Sequence, residues 1–138
     1  MRYYLDTNIL IFTLLSDKDN ISQEVSAILK DYTSILYTSS IAVQELLLLF
    51  RIGKIKSDLY KSEAEILNGL KKLDIEIYFF NSFHFAQYAK LSIHETHKDM
   101  NDHAIIAQAI ADKIPLISSD HAFKNYTSQG LKLLFNKR

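Results

Sequence analysis

The stretch NDHAIIAQAIADKIPLISSD, residues 101–120, holds two elements and the break between them. From Asn101 to Lys113 the apolar residues fall on nearly every side of a helical wheel, so this part predicts a helix buried on most of its faces. Pro115 cannot continue it, because a proline has no amide proton to give. Leu116-Ile117-Ser118 follows as a short, uniformly apolar strand that ends at Asp120. Uniform apolarity, as opposed to alternation, marks a strand covered on both sides. A buried helix running straight into such a strand is half of a β-α-β unit, and it points to a parallel sheet between helical layers.

The rest of the chain repeats this grammar. Tyr3-Tyr4-Leu5 predicts a strand ending at Asp6, and Asn8 to Leu15 a helix. Asn20-Ile-Ser-Gln23 has the form of a capping box for a helix running to about Asp31. Ser34 to Thr38 predicts a second strand. Ser39 or Ser40 caps a helix that stops near Gly53, a residue suited to a helix C-terminus. A longer amphipathic helix is expected over Ser57 to Leu73, with Leu59, Ala64, Ile66, Leu67 and Leu70 inside. Ile75 to Phe80 predicts a third strand, Asn81 or Ser82 caps a helix to roughly Glu95, and Leu131 to Phe135 predicts a fifth strand. The fold class is therefore α/β: a three-layer α/β/α sandwich around a mostly parallel sheet of four or five strands, spanning 1–138 as a single domain.

Composition excludes several functions. The 138 residues contain no Cys, so no disulfide framework and no thiolate site exists. Three Gly and one Pro argue against a turn-rich all-β protein, and neither glycine-rich phosphate motif occurs. Sixteen basic and sixteen acidic residues give no global pull toward nucleic acid. The most apolar run, Ile41 to Phe50, is about half the length a bilayer requires. Asp6 falls where a signal peptide would begin its apolar run. A cytoplasmic location is expected, with no membrane association.

Four acids stand against the pattern of burial. Asp6 and Asp120 end strands, at the rim where parallel α/β sheets bind ligands. Glu45 interrupts Ile-Ala-Val-Gln-Glu-Leu-Leu-Leu-Leu-Phe and shares a helical face with Ile41, Leu48 and Ile52. Asp102 opens the most buried helix, and Asp99 is suited to cap it. Each has an ordinary structural explanation; together they point to one acidic pocket. Clustered carboxylates need a cation to stay ionised. Oxygen ligands select hard ions, Mg²⁺ or Mn²⁺, and such ions promote phosphodiester hydrolysis.

Leu5-Asp6-Thr7-Asn8, Glu45 within its helix, His97-Lys-Asp-Met-Asn-Asp102-His-Ala-Ile-Ile-Ala-Gln-Ala and Leu116-Ile-Ser-Ser-Asp120-His-Ala-Phe together resemble the PIN-domain family. Within it they are most similar to the VapC-type toxins of bacterial toxin–antitoxin pairs. The resemblance implies a sheet of order 3-2-1-4-5. It also implies a Mg²⁺- or Mn²⁺-dependent endoribonuclease leaving 5′-phosphate and 3′-hydroxyl ends, restrained by a small cognate antitoxin. By position it assigns Asp6, Glu45, Asp102 and Asp120 as the catalytic acids, with metal held by Asp6, Asp102 and Asp120 and Glu45 as ligand or base. Asp99 becomes a fifth acid or the helix cap, Thr7 and Asn8 orient Asp6, and Ser118 or Ser119 supports the metal or its waters. Two departures are Met100-Asn101, where many relatives have Pro-Phe, and His103, where many have Arg.

Arg51, Lys54, Lys56 and Lys124 are candidates for holding RNA phosphates, and Tyr37 and Tyr126 for stacking on bases. His94, His97 and His103 do not match the spacing of a zinc-binding helix and are expected at the surface or as caps. The competing reading is a catalytically silent PIN-like module that binds RNA or protein. A homodimer is also expected, with Leu46 to Phe50 and Leu59 to Leu70 as the contact helices for it or the antitoxin.

Overall fold

The computed structural model describes residues 1–138. Its strands are β1 (Arg2–Leu5), β2 (Ile35–Ser39), β3 (Ile75–Tyr78), β4 (Leu116–Ser118) and β5 (Leu133–Phe135). They form one sheet of order β3-β2-β1-β4-β5, and every neighbouring pair is parallel. The helices are α1 (Thr7–Leu14), α2 (Gln23–Lys30), α3 (Ser40–Arg51), α4 (Glu63–Lys72), α5 (Ser82–Lys90) and α6 (Met100–Asp112). Two 3₁₀ segments lie at Lys18–Asn20 and His121–Gln129.

The chain steps outward from β1 to β2 to β3, then returns across the sheet to β4 and β5. With right-handed crossovers, α1 to α4 cover one face, and α5, α6 and the second 3₁₀ segment cover the other. The direction reverses between β1 and β4, so the crevice beyond their carboxyl ends is the switch point of the sheet. The strand residues Leu5, Leu116 and Ile117 and the helix residues Ile9, Leu10 and Ile106 are fully buried there. That packing holds the switch point rigid. No helix is long and apolar enough to cross a membrane.

Three expected helices differ in extent, each for a local reason. The helix expected from Ser57 starts at Glu63. The Ser57 hydroxyl accepts the Leu59 amide in a local turn, whereas Ser62 caps Glu65 with Glu65 reaching back to the Lys61 amide. Leu59 and Leu67 consequently lie exposed, and Ala64 also faces solvent, leaving Ile66, Gly69 and Leu70 inside. Gly69 has no room for a side chain, because a Cβ would come within 2.8 Å of the Tyr60 ring. Ser22, not Asn20, caps α2 by accepting the Val25 amide at 3.2 Å, while the Asn20 side chain donates to Asp17. The helix expected to reach Glu95 stops at Lys90. The chain after it folds back under the second 3₁₀ segment, where the His94 amide donates to the Tyr126 hydroxyl at 3.1 Å.

Candidate active site

Asp6 sits at the end of β1, its amide donating to Ile117 O at 3.0 Å across the switch point. It caps α1: Oδ1 accepts the Thr7 amide at 2.8 Å, and Oδ2 accepts the Ser118 hydroxyl at 2.8 Å. The Ser118 oxygen in turn accepts the Asp120 amide at 3.1 Å. One buried hydroxyl at the end of β4 thus ties together the two strand-end acids. Asp120 then caps the 3₁₀ segment through the Ala122 amide at 2.9 Å.

Asp102 comes from the first turn of α6. Asp99 is the cap of that helix, its Oδ1 accepting the amides of Asn101 and Asp102 at 2.9 and 3.2 Å. Glu45 reaches in from α3, half-buried, with its Oε2 accepting a long 3.4 Å contact from the Asn101 side chain. Asp6, Glu45, Asp99, Asp102 and Asp120 line one cavity of about 210 Å³ with Thr7, Asn8 and Leu49, and no Lys or Arg is in its wall.

This arrangement is electrostatically unfavourable on its own. Burial raises the Asp6 carboxyl from its ordinary 3.8 to about 7. The charges of Asp102 and Glu45 push the same way against the Ser118 and Thr7 bonds. Burial likewise raises Asp102 to about 8, helped by the nearby charges of Asp99, Asp120 and Glu45. Five carboxylates around a cationless cavity fit a hard divalent ion. The Thr7 hydroxyl, buried at the same wall and without a hydrogen-bond partner, agrees with that fit.

His97 is the residue that sequence reasoning did not place here. It is buried, not at the surface, and so is His103. The Tyr126 hydroxyl donates to His97 Nδ1 at 2.9 Å and accepts the His94 amide. His97 Nε2–H then donates to Asp102 Oδ2 at 3.0 Å. These bonds agree on one neutral tautomer and leave Oδ1 as the uncommitted oxygen of Asp102. His103 Nε2 donates to the His97 carbonyl at 2.8 Å and holds the loop. His97 comes within 4.8 Å of both Asp102 and Asp120 oxygens, and with both ring nitrogens engaged it orients Asp102 instead of offering a ligand atom. Only the position of His97, five residues before Asp102, hinted at this, because the loop's return path is not a periodic feature.

Tyr126 is fully buried and Tyr37 nearly so, stacked on Tyr78 at 4.1 Å, so neither is free to stack on a base. Arg51 is paired with Glu63 through two bonds of 2.8 and 3.0 Å at the surface. Lys54 and Lys56 are exposed beyond α3. Lys124 lies 4.0 Å over the Phe135 ring. The Ser119 hydroxyl accepts from Asn136 at 2.8 Å and lines a neighbouring cavity, not the acidic one.

The His97 relay carries a test. Tyr126→Phe keeps the buried ring and removes only the hydroxyl. Divalent-ion affinity is expected to fall, by less than the roughly 10- to 100-fold that losing a direct partner of a ligand costs, because Tyr126 acts through His97. Titration of the melting temperature with Mn²⁺ measures it; an unchanged affinity would assign Tyr126 to packing alone.

An acidic cluster around the buried Asp6, at the switch point of a parallel 3-2-1-4-5 sheet covered by helices on both faces, defines a class of α/β proteins with a candidate metal site. The PIN domain family model matches residues 3–128, and the chain belongs to that family. PIN domains are generally nucleases.

Solved structures share the fold. The VapBC2 complex from Rickettsia felis, bound to a promoter DNA fragment, contains a chain 22% identical with a TM-score of 0.67, covering 99% of this chain and 100% of that one. DNA-bound VapBC from Salmonella typhimurium gives 20% identity and a TM-score of 0.70, with 98% of each chain covered. VapBC-5 from Mycobacterium tuberculosis, a member of the VapBC family of toxin–antitoxin systems, gives 20% and 0.63, with 99% of this chain and 98% of that one covered. No curated protein sequence matches the chain.

Proposed function

We propose that this chain is a divalent-metal-dependent endoribonuclease of VapC type, a single PIN-like unit acting in the cytoplasm as the toxin of a toxin–antitoxin pair. The observation that carries the nuclease reading is the cavity lined by five carboxylates and no cation. The toxin role and the cognate antitoxin rest on relatives whose structures are described as toxin–antitoxin complexes.

Asp6, Asp102 and Asp120 would hold the ion. Bound there, Mg²⁺ or Mn²⁺ would supply positive charge against the phosphate and lower the pKa of an attacking water. Ser118 and Thr7 fix the Asp6 carboxylate, and His97 fixes that of Asp102, so their oxygens need little reorganisation on binding. Glu45 serves as a further ligand or as the base that orients the water. Attack on phosphorus opposite the 3′-oxygen breaks the P–O3′ bond, leaving phosphate on the 5′ end and a proton on the departing 3′-hydroxyl. Thr7, Asn8 and Asp99 shape the wall, Asp99 chiefly as the cap that directs Asp102 inward. Among the basic candidates, Lys54, Lys56 and Lys124 stay available for phosphates, while Arg51 must first give up Glu63.

Leu48, Phe85 and Met100 lie exposed around an apolar hollow bordered by Glu45 and Asn101. This face suits a homodimer better than Leu59 to Leu70, where only Leu59 and Leu67 are exposed large apolar residues.

The deciding experiment is incubation of the purified chain with RNA in Mg²⁺, in Mn²⁺ and in EDTA. Cleavage only with the metals, leaving 5′-phosphate ends, is expected. Cleavage that persists in EDTA, or ends carrying 2′,3′-cyclic phosphate, would exclude this chemistry.

A further inference from the structure

A second cavity, of about 410 Å³, is lined by Ser119, the residue before Asp120. Its wall includes Ser119, His121, Lys124, Phe135, Lys137 and Arg138. Asp120 belongs to the acidic cavity and Ser119 to this one, and adjacent Cα atoms lie about 3.8 Å apart. The two cavities are thus lined by consecutive residues at the end of β4.

The charge of the second cavity is unbalanced in the opposite sense. The ion pairs of the fold are Arg51–Glu63, His84–Asp112 and His97–Asp102. Lys124, Lys137 and Arg138 pair with no Asp or Glu, and no acidic side chain occurs from His121 to Arg138. Lys124 Nζ donates to His121 Nδ1 at 3.3 Å, which leaves the Nε2 proton of His121 as a further donor. The Ser119 oxygen already accepts from Asn136, so its own proton is without an acceptor.

The floor is rigid. Asn136 is fully buried; it donates to Asn20 O and to Ser119 at 2.8 Å each, and accepts the Ser22 amide at 2.8 Å. Phe135 presents a ring flanked by His121 at 4.6 Å and by Lys124. Cations with hydroxyl and imidazole donors are the elements that bind a nucleotide phosphate, and the Phe135 ring, with Lys124 over its face, helps position that cation.

We infer that this basic cavity is the subsite for the RNA phosphate next to the one being cleaved. The inference rests on the nuclease reading and extends it. A phosphate placed at the acidic cavity can be held through a metal ion, but its neighbour on the strand would meet only carboxylate charge there. The cavity behind Ser119 removes that conflict within one residue of Asp120.

The test is binding of fluorescein-labelled hexauridylate by the whole chain in EDTA, read by anisotropy over a salt series. Lys124→Gln/Lys137→Gln is the test variant; both lysines are exposed. Lys71→Gln/Lys72→Gln is the control, because α4 leads directly into the start of β3 and so ends at the opposite rim of the sheet. The test variant should weaken binding about tenfold, and its log–log salt slope should shrink by about 1.4, roughly 0.7 for each lost contact to a single-strand phosphate. The control should bind as the unaltered chain does.

Equal affinity in the two double variants would overturn the subsite, as would absence of binding by the unaltered chain. Equally effective competition by a deca-glutamate peptide would also overturn it, in favour of an acidic protein partner. Because binding is read without metal, the two readings separate. Charge-dependent binding with no cleavage in Mg²⁺ removes the nuclease and keeps the RNA-phosphate site. Cleavage with unchanged binding in Lys124→Gln/Lys137→Gln removes the subsite alone.

Discussion

Asp6→Asn is expected to lower RNA cleavage by at least about 10²- to 10³-fold, the scale seen when one preorganised electrostatic group is lost, while the fold stays intact. The substitution conserves shape. The new amide oxygen can accept the Thr7 amide as Oδ1 does now. The new NH₂ would face Ser118, whose hydroxyl has lone pairs for it and for the Asp120 amide it already accepts. What disappears is the negative charge at the switch point, and with it an oxygen anion for the metal. Rates come from gel analysis of a labelled RNA, and integrity from the melting temperature. In a cell, the same change should relieve growth arrest caused by the chain. Full cleavage by Asp6→Asn would move the chemistry away from this cavity, whatever the fate of the other acids.

The parts of this site legible in the sequence were those where burial and chemistry disagree. Leu116-Ile117-Ser118 is too apolar and too short for anything but an inner strand, so an acid straight after it had to lie at the rim. Glu45 was visible because nothing else in α3 is charged before Arg51. The Asp99-to-Asp102 spacing declared both a cap and a first-turn acid. His97 and Tyr126 were hidden for the opposite reason. Their roles depend on a loop after α5 and an irregular 3₁₀ segment, and neither has a period by which sequence predicts direction. The start of α4 was lost to competition between two serines, Ser57 and Ser62, whose local hydrogen bonds differ in a way that only the backbone reveals.

The metal-free chain is expected to melt at lower temperature as pH rises from about 4 to about 8, opposite to what paired surface carboxylates produce. In the unfolded chain Asp6 and Asp102 lose their protons near 3.8, whereas in the fold they hold them to about 7 and about 8. Over that interval the folded state binds more protons than the unfolded one, so the stability of folding falls with pH and levels off above both folded values. For Asp6 a shift from 3.8 to about 7 corresponds to at most roughly 4 kcal/mol. The joint effect is less than two separate effects, because the Asp102 charge is part of what suppresses ionisation of Asp6. In EDTA the melting temperature should drop by something on the order of 10 °C between pH 5 and pH 8. A divalent ion competes with those protons, so its stabilisation should grow over the same range. At a hundredfold excess over its dissociation constant it amounts to about 2.7 kcal/mol. Asp102→Asn removes one of the two titrations and one ligand, and should therefore flatten the pH profile and shrink the Mg²⁺ shift together. A flat profile in EDTA, or an equal Mg²⁺ shift in Asp102→Asn, would mean that the carboxylates do not repel one another in this cavity. The electrostatic reason for a metal there would then be gone.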